Sequence, residues 1–96
     1  MFEILESDDF IFERNKILFE LYNRSFSEKI VIKLFNKIEE KLLLVKNNPE
    51  IFRKRESNFR IIPINSYNIL YKVFFDEKII KIYSIIYSAS NYQEYK

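Results

Sequence analysis

The sequence contains no glycine, no cysteine and no histidine among its 96 residues. Without glycine, neither the P-loop nor the dinucleotide-binding fingerprint can be built. Without cysteine and histidine, the chain can form no disulfide, no usual zinc site and no Ser-His-Asp catalytic triad. Any chemistry must therefore use Lys, Arg, Tyr, Ser, Asp or Glu, and we expect neither a metal site nor a cofactor.

Hydrophobic residues are plentiful by contrast. They make up 48% of the chain and include ten Phe and seven Tyr, so a core is expected within a single domain over residues 1–96. No apolar run reaches the roughly 18 residues of a membrane span, and the N-terminus is acidic where a signal peptide would be basic. We therefore expect a cytoplasmic protein without a membrane partner.

Charge is unevenly distributed along the chain. Residues 1–50 carry eight basic and ten acidic side chains, whereas residues 51–96 carry eight basic and four acidic ones, so the halves of −2 and +4 give the net +2. The excess of positive charge favours an acidic or polyanionic partner for the C-terminal half. A basic connector, Arg53-Lys54-Arg55, lies at the start of that half.

The first quarter of the chain predicts a strand followed by a helix. Residues Phe2 to Leu5 alternate with acidic neighbours, as in a short strand. Ser7 then precedes two aspartates, which is typical of a helix N-cap with acids in the first turn. This helix is predicted to end at about Arg24.

A second helix follows almost without a linker. Ser25 and Glu28 have the spacing of a capping box, which predicts that Ser25 opens this helix. The helix should end at Asn47-Asn48-Pro49, because the residue before a proline is disfavoured in the α conformation. Its apolar residues fall on one stripe, and we expect them in the core: Val31, Leu34, Phe35, Ile38, Leu42 and Val45.

Residues 58–88 predict a three-stranded antiparallel meander. Three runs of alternating β-branched, aromatic and polar residues are separated by Asn65-Ser66 and Asp76-Glu77. Pro63 cannot donate a ladder hydrogen bond, so the first of these strands should lie at a sheet edge. A two-residue turn at Asp76-Glu77 pairs residues whose numbers sum to 153: Val73 with Ile80, Tyr71 with Ile82, Ile69 with Ser84, and Tyr67 with Ile86.

These pairs predict an apolar face against the helices and a basic, aromatic opposite face. The opposite face would carry Asn68, Lys72, Lys81, Tyr83 and Tyr87. Lys72 opposite Lys81 is a like-charge pair, which is unfavourable unless the two ammonium groups are solvated or bind an anion. A solvated sheet face is the simpler interpretation of this pair, and an exposed connector is the simpler interpretation of residues 53–55.

The position of Arg60 depends on the first hairpin. A two-residue loop at Asn65-Ser66 would place Arg60 opposite Tyr71 on the helix-covered side. A three-residue loop through Tyr67 would place it beside Lys72 and send Phe59 inward. We favour the second arrangement, because burying an unpaired guanidinium is costly.

Taken together, several segments resemble the RelE/ParE superfamily of bacterial type II toxins. They are the start EILESDDF, the helix end KNNPEIF, the strand pair FRIIPINSYNILYKV, the turn DEK and the final IIKIYSIIYSASN. The resemblance implies an α+β, two-layer fold in the order β-α-α-β-β-β, with a helical hairpin on one face of a mainly antiparallel four-stranded sheet. It also implies a toxin that binds a cognate antitoxin, as a possible hetero-oligomer.

The resemblance leaves the target open. RelE-like members cut ribosome-bound mRNA, whereas ParE-like members act on DNA gyrase. Many relatives end the last strand with His and then Arg, but this chain has Tyr87-Ser88-Ala89-Ser90-Asn91, of which only Asn91 matches. We therefore favour a ParE-like toxin that inhibits growth by binding gyrase, with these candidate target-binding residues: Arg53, Lys54, Arg55, Lys72, Lys81, Tyr83 and Asn91.

Two alternatives remain. One is a metal-independent mRNA endoribonuclease, in which Arg60 would stabilise the charged transition state and Tyr87 would stack on a base or transfer a proton. The other is an inactive relic or interaction module that retains only the fold.

Overall fold

The helices and strands follow one another in the order β-α-α-β-β-β, and the computed structural model describes residues 1–88. Their bounds are β1 Glu3–Glu6, α1 Asp8–Ser25, α2 Glu28–Asn47, β2 Arg60–Ile64, β3 Tyr67–Phe74 and β4 Ile79–Tyr87, with a 3₁₀ turn at Glu56–Asn58. The strands form one sheet in the order β1-β4-β3-β2, in which β1 runs parallel to β4 and the other pairs are antiparallel. The predicted architecture is confirmed, and β2 with Pro63 lies at an edge.

Ser7 joins β1 to α1 and contacts β4. Its Oγ accepts a hydrogen bond from the Phe10 N–H at 3.0 Å and donates one to the Tyr83 carbonyl at 2.8 Å. The Ser7 N–H donates to the Ile82 carbonyl at 2.9 Å. The predicted N-cap is therefore confirmed, and the same residue fastens the start of α1 to the sheet.

The N-cap of α2 lies two residues beyond the predicted one. Ser27, and not Ser25, accepts the capping hydrogen bond, which comes from the Ile30 N–H at 3.3 Å. Ser25 still belongs to α1, where its Oγ donates to the Leu21 carbonyl at 2.8 Å. Phe26 has a positive φ of 52° and ends α1 between the two serines. The predicted end of α2 before Pro49 is confirmed.

The core lies between the two helices and one face of the sheet, here called the helix face. Its buried members are Phe10, Leu34, Ile38, Leu42, Val45, Ile62, Ile64, Tyr67, Ile69, Tyr71, Ile80, Ile82 and Ile85. Each fully buried Leu, Ile or Phe among them contributes about 1.5–3 kcal/mol through the hydrophobic effect. Phe35 departs from the predicted stripe of α2, since 38% of it is exposed. Within residues 1–88, no helix combines the length and apolarity that crossing a membrane requires.

The pairing of β3 with β4 follows the predicted register only near the turn. Asp76 and Glu77 are the centre of that turn, which the Lys78 N–H closes by donating to the Phe75 carbonyl at 3.2 Å. The predicted pairs Val73 with Ile80 and Tyr71 with Ile82 are present. The next pair joins Leu70 to Ser84, so Tyr83 is an extra residue in β4. This is a β-bulge.

The bulge shifts the rest of β4 by one residue, so the predicted pairs beyond it are wrong. Ile69 pairs with Ile85 instead of Ser84, and Tyr67 pairs with Tyr87 instead of Ile86. Because successive side chains of a strand point to opposite faces, the shift moves Tyr87 to the helix face.

Beyond the bulge, a side chain of α1, and not β1, forms hydrogen bonds with the outer edge of β4. β1 ends at the pair of Glu6 with Ile82. From there, the Glu13 carboxylate of α1 accepts a hydrogen bond from the Ser84 Oγ at 3.0 Å and one from the Ile85 N–H at 3.2 Å. A side chain of α1 therefore satisfies an edge amide that β1 is too short to reach.

Candidate functional site

Two lysines and two aromatic rings form a cluster on the sheet face opposite the helices, here called the far face. Lys72 of β3 and Lys81 of β4 are paired in register, as predicted. The Lys72 Nζ lies 4.5 Å from the Phe59 ring centroid, and the Lys81 Nζ lies 4.9 Å from that of Tyr83. The Phe59 and Tyr83 rings meet edge to face, with centroids 5.2 Å apart. We call these four residues the far-face cluster.

The rings explain how two like charges are tolerated on neighbouring strands. A ring face is negative, so an ammonium group above it is stabilised by about 0.5–1 kcal/mol at an exposed site. Within residues 1–88, no carboxylate forms an ion pair with Lys72 or Lys81, and the single ion pair joins Arg14 to Glu6. Within residues 1–88, the far-face cluster therefore presents positive charge that no described carboxylate neutralises.

Tyr83 is the bulged residue of β4, and its ring meets the Phe59 ring on the far face. Alternation from Lys81 already places Tyr83 on this face, so the bulge changes the faces only of the residues beyond it. Phe59 was absent from the predicted site and was expected to point inward. No pattern around Phe59 distinguishes the two orientations, because it lies just before β2 begins.

Arg60 does not join the far-face cluster, so the preferred placement of this residue is wrong. The first hairpin has the two-residue loop Asn65-Ser66, and β2 pairs Arg60 with Tyr71 on the helix face. Arg60 is only 9% exposed, and its Nη1 donates to the Phe52 carbonyl at 2.7 Å. The predicted cost of burial is offset because the loop after α2 supplies this acceptor. Asn65 takes a positive φ of 51°, which asparagine tolerates and which suits the tight loop.

Tyr71 anchors the same loop. Its hydroxyl donates to the Pro49 carbonyl at 3.0 Å, and its ring is fully buried. Burial raises the pKa of Tyr71 to about 12, although the Arg60 guanidinium opposes the shift. Arg60 and Tyr71 thus act as a pair that holds the chain after α2 against the sheet.

Tyr87, the other candidate catalytic residue, lies on the helix face beside Tyr67. The two ring centroids are 4.8 Å apart, and Tyr87 is 49% exposed whereas Tyr67 is 7% exposed. Burial, followed by the neighbouring Tyr87 phenol, raises the pKa of Tyr67, and Arg24 opposes the shift. Arg60 and Tyr87 are therefore not brought together with the lysines of the far face.

The remaining candidate residues lie in the connector and the C-terminal tail. Arg53, Lys54 and Arg55 are exposed. Lys54 forms an isolated β-bridge with Arg60, and the Arg55 N–H donates to the Phe59 carbonyl at 2.6 Å, so the connector continues the edge of β2. Asn91 lies outside the described residues.

A model of the "ParE toxin of type II toxin-antitoxin system, parDE" matches residues 16–92. The chain belongs to this ParE toxin family. The match begins within α1 and continues past the end of β4, and so includes the far-face cluster and the Arg60–Tyr71 pair. Membership makes this ParE-family chain a toxin of the type II class and implies a cognate antitoxin. Comparison with curated protein sequences finds no match.

Solved structures show the same fold. A chain of the intact E. coli RelBE toxin–antitoxin complex superposes with a TM-score of 0.63 at 14% identity, over 95% of this chain and 100% of that one. The isolated E. coli RelE toxin gives the same score and identity, over 99% of this chain and 92% of that one. At this identity, the likeness of the ParE-family chain to RelE concerns the fold alone.

Proposed function

We propose that this protein inhibits bacterial growth in the cytoplasm by binding a macromolecular target through the far-face cluster. DNA gyrase is the expected target, since the chain belongs to the ParE family, and a cognate antitoxin neutralises it. The observation that carries the proposal is the pairing of Lys72 with Lys81 above the rings of Phe59 and Tyr83. Such a surface suits an acidic or phosphate-bearing partner.

The position of Arg60 supports binding over ribonuclease chemistry. Its guanidinium is engaged by the Phe52 carbonyl on the helix face, so it is not available to a substrate on the far face. Tyr87 is also on the helix face. The far-face cluster retains positive charge and aromatic surface, which are the properties of a binding site, but lacks the two groups assigned to transition-state stabilisation and proton transfer.

The test is inducible expression with and without the antitoxin gene, in a host whose gyrase is sensitive to ParE toxins. Expression alone should arrest growth, and co-expression should restore it. Lys72→Glu and Lys81→Glu should abolish the arrest, because each places a carboxylate in the cluster. Lys78→Glu makes the same charge change in the β3–β4 turn, outside the cluster, and should leave the arrest intact. If both cluster variants still arrested growth, the far-face cluster would not be the surface that binds the target.

Purified protein distinguishes the targets. Inhibition of gyrase supercoiling, lost in Lys81→Glu, is the expected result. Ribosome-dependent mRNA cleavage with unaffected gyrase would instead favour the ribonuclease. Absence of both activities, together with retained antitoxin binding, would favour a relic that keeps only the interaction surface.

A further inference from the structure

Three exposed phenylalanines lie in one row on the outer face of α1, which is the face turned away from the sheet. Phe12 and Phe19 belong to α1, and Phe26 is its C-cap. They are spaced seven residues apart, which is close to two helical turns, so they fall on one line. Their exposed fractions are 68%, 66% and 81%, whereas Phe10, on the opposite side of the helix, is buried in the core. We call these three residues the phenylalanine row.

Phe26 ends the row in a strained backbone conformation. Its φ of 52° and ψ of 32° are left-handed, which costs a residue with a Cβ atom about 1–2 kcal/mol and costs glycine far less. The Phe26 ring remains mostly exposed and meets the Tyr22 ring edge to face, with centroids 6.5 Å apart. Burial in the core therefore does not account for a phenylalanine at this position, and such outliers occur at functional sites.

The row and a shallow groove beside it form one apolar surface. The groove lies between α1 and α2 and has a volume of about 370 Å³. A whole phenylalanine offers about 200 Å², so the exposed fractions of the row leave roughly 400 Å² of ring surface in water. A patch of this size on a single chain is typical of an interaction site. The groove is lined by Leu18, Phe19, Tyr22, Glu28, Val31 and Ile32.

The charges of α1 argue against a nucleic acid or a membrane as the partner of this surface. The exposed charged residues of the helix are Asp8, Asp9, Lys16, Glu20 and Arg24, so acids outnumber bases. Nucleic acids and anionic lipids both select an excess of positive charge. The mixed charge favours a protein surface that is itself of mixed charge.

We propose that the phenylalanine row is the interface of a homodimer, in which two α1 helices pack antiparallel about a two-fold axis at Phe19. The row is symmetric about this residue, because Phe12 and Phe26 each lie seven positions from it. The axis therefore places Phe12 against Phe26 of the partner subunit, and Phe19 against Phe19 of the partner subunit. A two-fold interface requires such a self-complementary surface.

The polar residues beside the row are complementary in the same arrangement. Lys16 and Asn23 border the row on one side, and Asn15 and Tyr22 border it on the other, as the helical period places them. The two-fold axis brings Lys16 next to Asn23 of the partner subunit, and Asn15 next to Tyr22 of the partner subunit. Both contacts pair a donor with an acceptor, and neither joins like charges.

The dimer leaves the surface proposed for target binding exposed. The sheet lies on the opposite side of α1 from the phenylalanine row, and the far-face cluster lies beyond it. The two far-face clusters therefore point outward from opposite sides of the dimer. Such a dimer presents two binding surfaces to a target, which the function proposed above does not require.

The mass of the purified full-length chain tests the proposal. The row buries roughly 400 Å² per chain, against about 800 Å² for a standard interface, so we expect a dissociation constant on the order of 10 µM. Sedimentation equilibrium from about 1 to 200 µM should show the mass rising from the 11.8 kDa of one chain towards twice that value.

Substitutions at Phe19 test the position of the axis. Phe19→Asp and Phe19→Lys should each weaken dimerisation on the order of a hundredfold, because two like charges then face each other in place of two rings. An equal mixture of the two variants should form dimers again, since a carboxylate then faces an ammonium group. Ile51→Asp is the control: this residue is 43% exposed in the loop after α2, and the variant should dimerise as the unaltered chain does. Far-UV circular dichroism checks that each variant is folded.

The proposal is overturned if the chain stays monomeric up to the highest concentration, or if Phe19→Asp dimerises normally. It is also overturned if the mixture of the two Phe19 variants remains monomeric, or if Ile51→Asp dissociates as they do. Flotation with vesicles that contain anionic phospholipid adds one more outcome. Binding by a monomeric chain, lost in Phe19→Asp, would assign the row to a membrane surface instead. None of these measurements depends on the far-face cluster, so the proposed toxin function is tested separately.

Discussion

The two faces of β3 use similar residue types for different purposes. On the helix face, Tyr71 of β3 lies opposite Arg60 of β2. On the far face, the next residue of β3, Lys72, lies opposite Lys81 of β4. The Arg60 guanidinium is satisfied by a backbone carbonyl and holds the loop after α2. Among the described residues, the ammonium groups of the two lysines contact the rings of Phe59 and Tyr83. The difference shows that a basic residue near a tyrosine indicates a site only when its charge is still available to a partner.

The largest expected effect comes from shortening a fully buried side chain of the helix face. Ile69→Ala should lower the free energy of unfolding by about 3–4 kcal/mol, because it leaves a cavity in the core. Urea unfolding followed by circular dichroism measures this. Ile86→Ala is the control, since Ile86 is half-buried on the far face, and it should cost about 1 kcal/mol. Equal losses would contradict the assignment of the faces.

A smaller loss is expected at Arg60. Arg60→Ala should lower the free energy of unfolding by about 2–3 kcal/mol, because the Phe52 carbonyl loses a charged donor in a buried setting. Arg53→Ala in the exposed connector should change it by less than about 0.5 kcal/mol. If Arg60→Ala instead left stability unchanged and removed a cleavage activity, Arg60 would be catalytic after all.

Alkaline pH should weaken the helix face in particular. The pKa of Tyr71 is raised to about 12 by burial, so the fold favours the neutral phenol. The preference of the folded chain for the neutral phenol contributes fully to stability below about pH 10, the pKa of an exposed tyrosine. Between about pH 10 and 12 this contribution is lost, and the free energy of unfolding falls by roughly 2–3 kcal/mol. Urea unfolding at pH 9 and pH 12 should show a smaller decline for Tyr71→Phe than for the unaltered chain. Parallel declines would show that Tyr71 does not titrate in this way.

The smallest expected effect on stability has the opposite sign and lies on the far face. Lys81→Glu replaces a like-charge pair with an opposite-charge pair facing Lys72, and should raise the free energy of unfolding by about 0.2–1 kcal/mol. Growth arrest should be lost in the same variant. A variant that is more stable and not toxic would show that the lysine pair serves binding and not stability. A less stable variant would contradict the expected gain from an opposite-charge pair, and its loss of toxicity could then result from unfolding.

Local patterns were sufficient for much of the fold. The serine N-cap of α1, the stripe of α2 and the edge position of Pro63 are each set by neighbours within a few residues, so the sequence predicts them. The N-cap of α2 was misplaced because Ser25 and Ser27 both precede a helical pattern, and only the positive φ of Phe26 separates them.

The site was predicted less well because it depends on contacts between distant residues. At the bulge, the Tyr83 carbonyl accepts a hydrogen bond from the Ser7 side chain, 76 positions earlier. The sequence of β4 itself contains no feature that predicts this bulge. The carbonyl that satisfies Arg60 comes from a loop whose path cannot be predicted from composition. The pair of Lys72 with Lys81 was predicted correctly because it lies between the turn and the bulge, where the register is set locally.

The parallel pairing of β1 with β4 has a consequence for biosynthesis. β1 is made first and β4 last, and the hydrogen bonds that Ser84 and Ile85 donate to the Glu13 carboxylate span more than 70 residues. A nascent chain that has not yet released β4 has no partner for β1 and no anchor for Ser7, and such distant contacts form slowly. We therefore expect incomplete chains to lack both sheet faces. Growth inhibition would then begin only after translation of the toxin is finished.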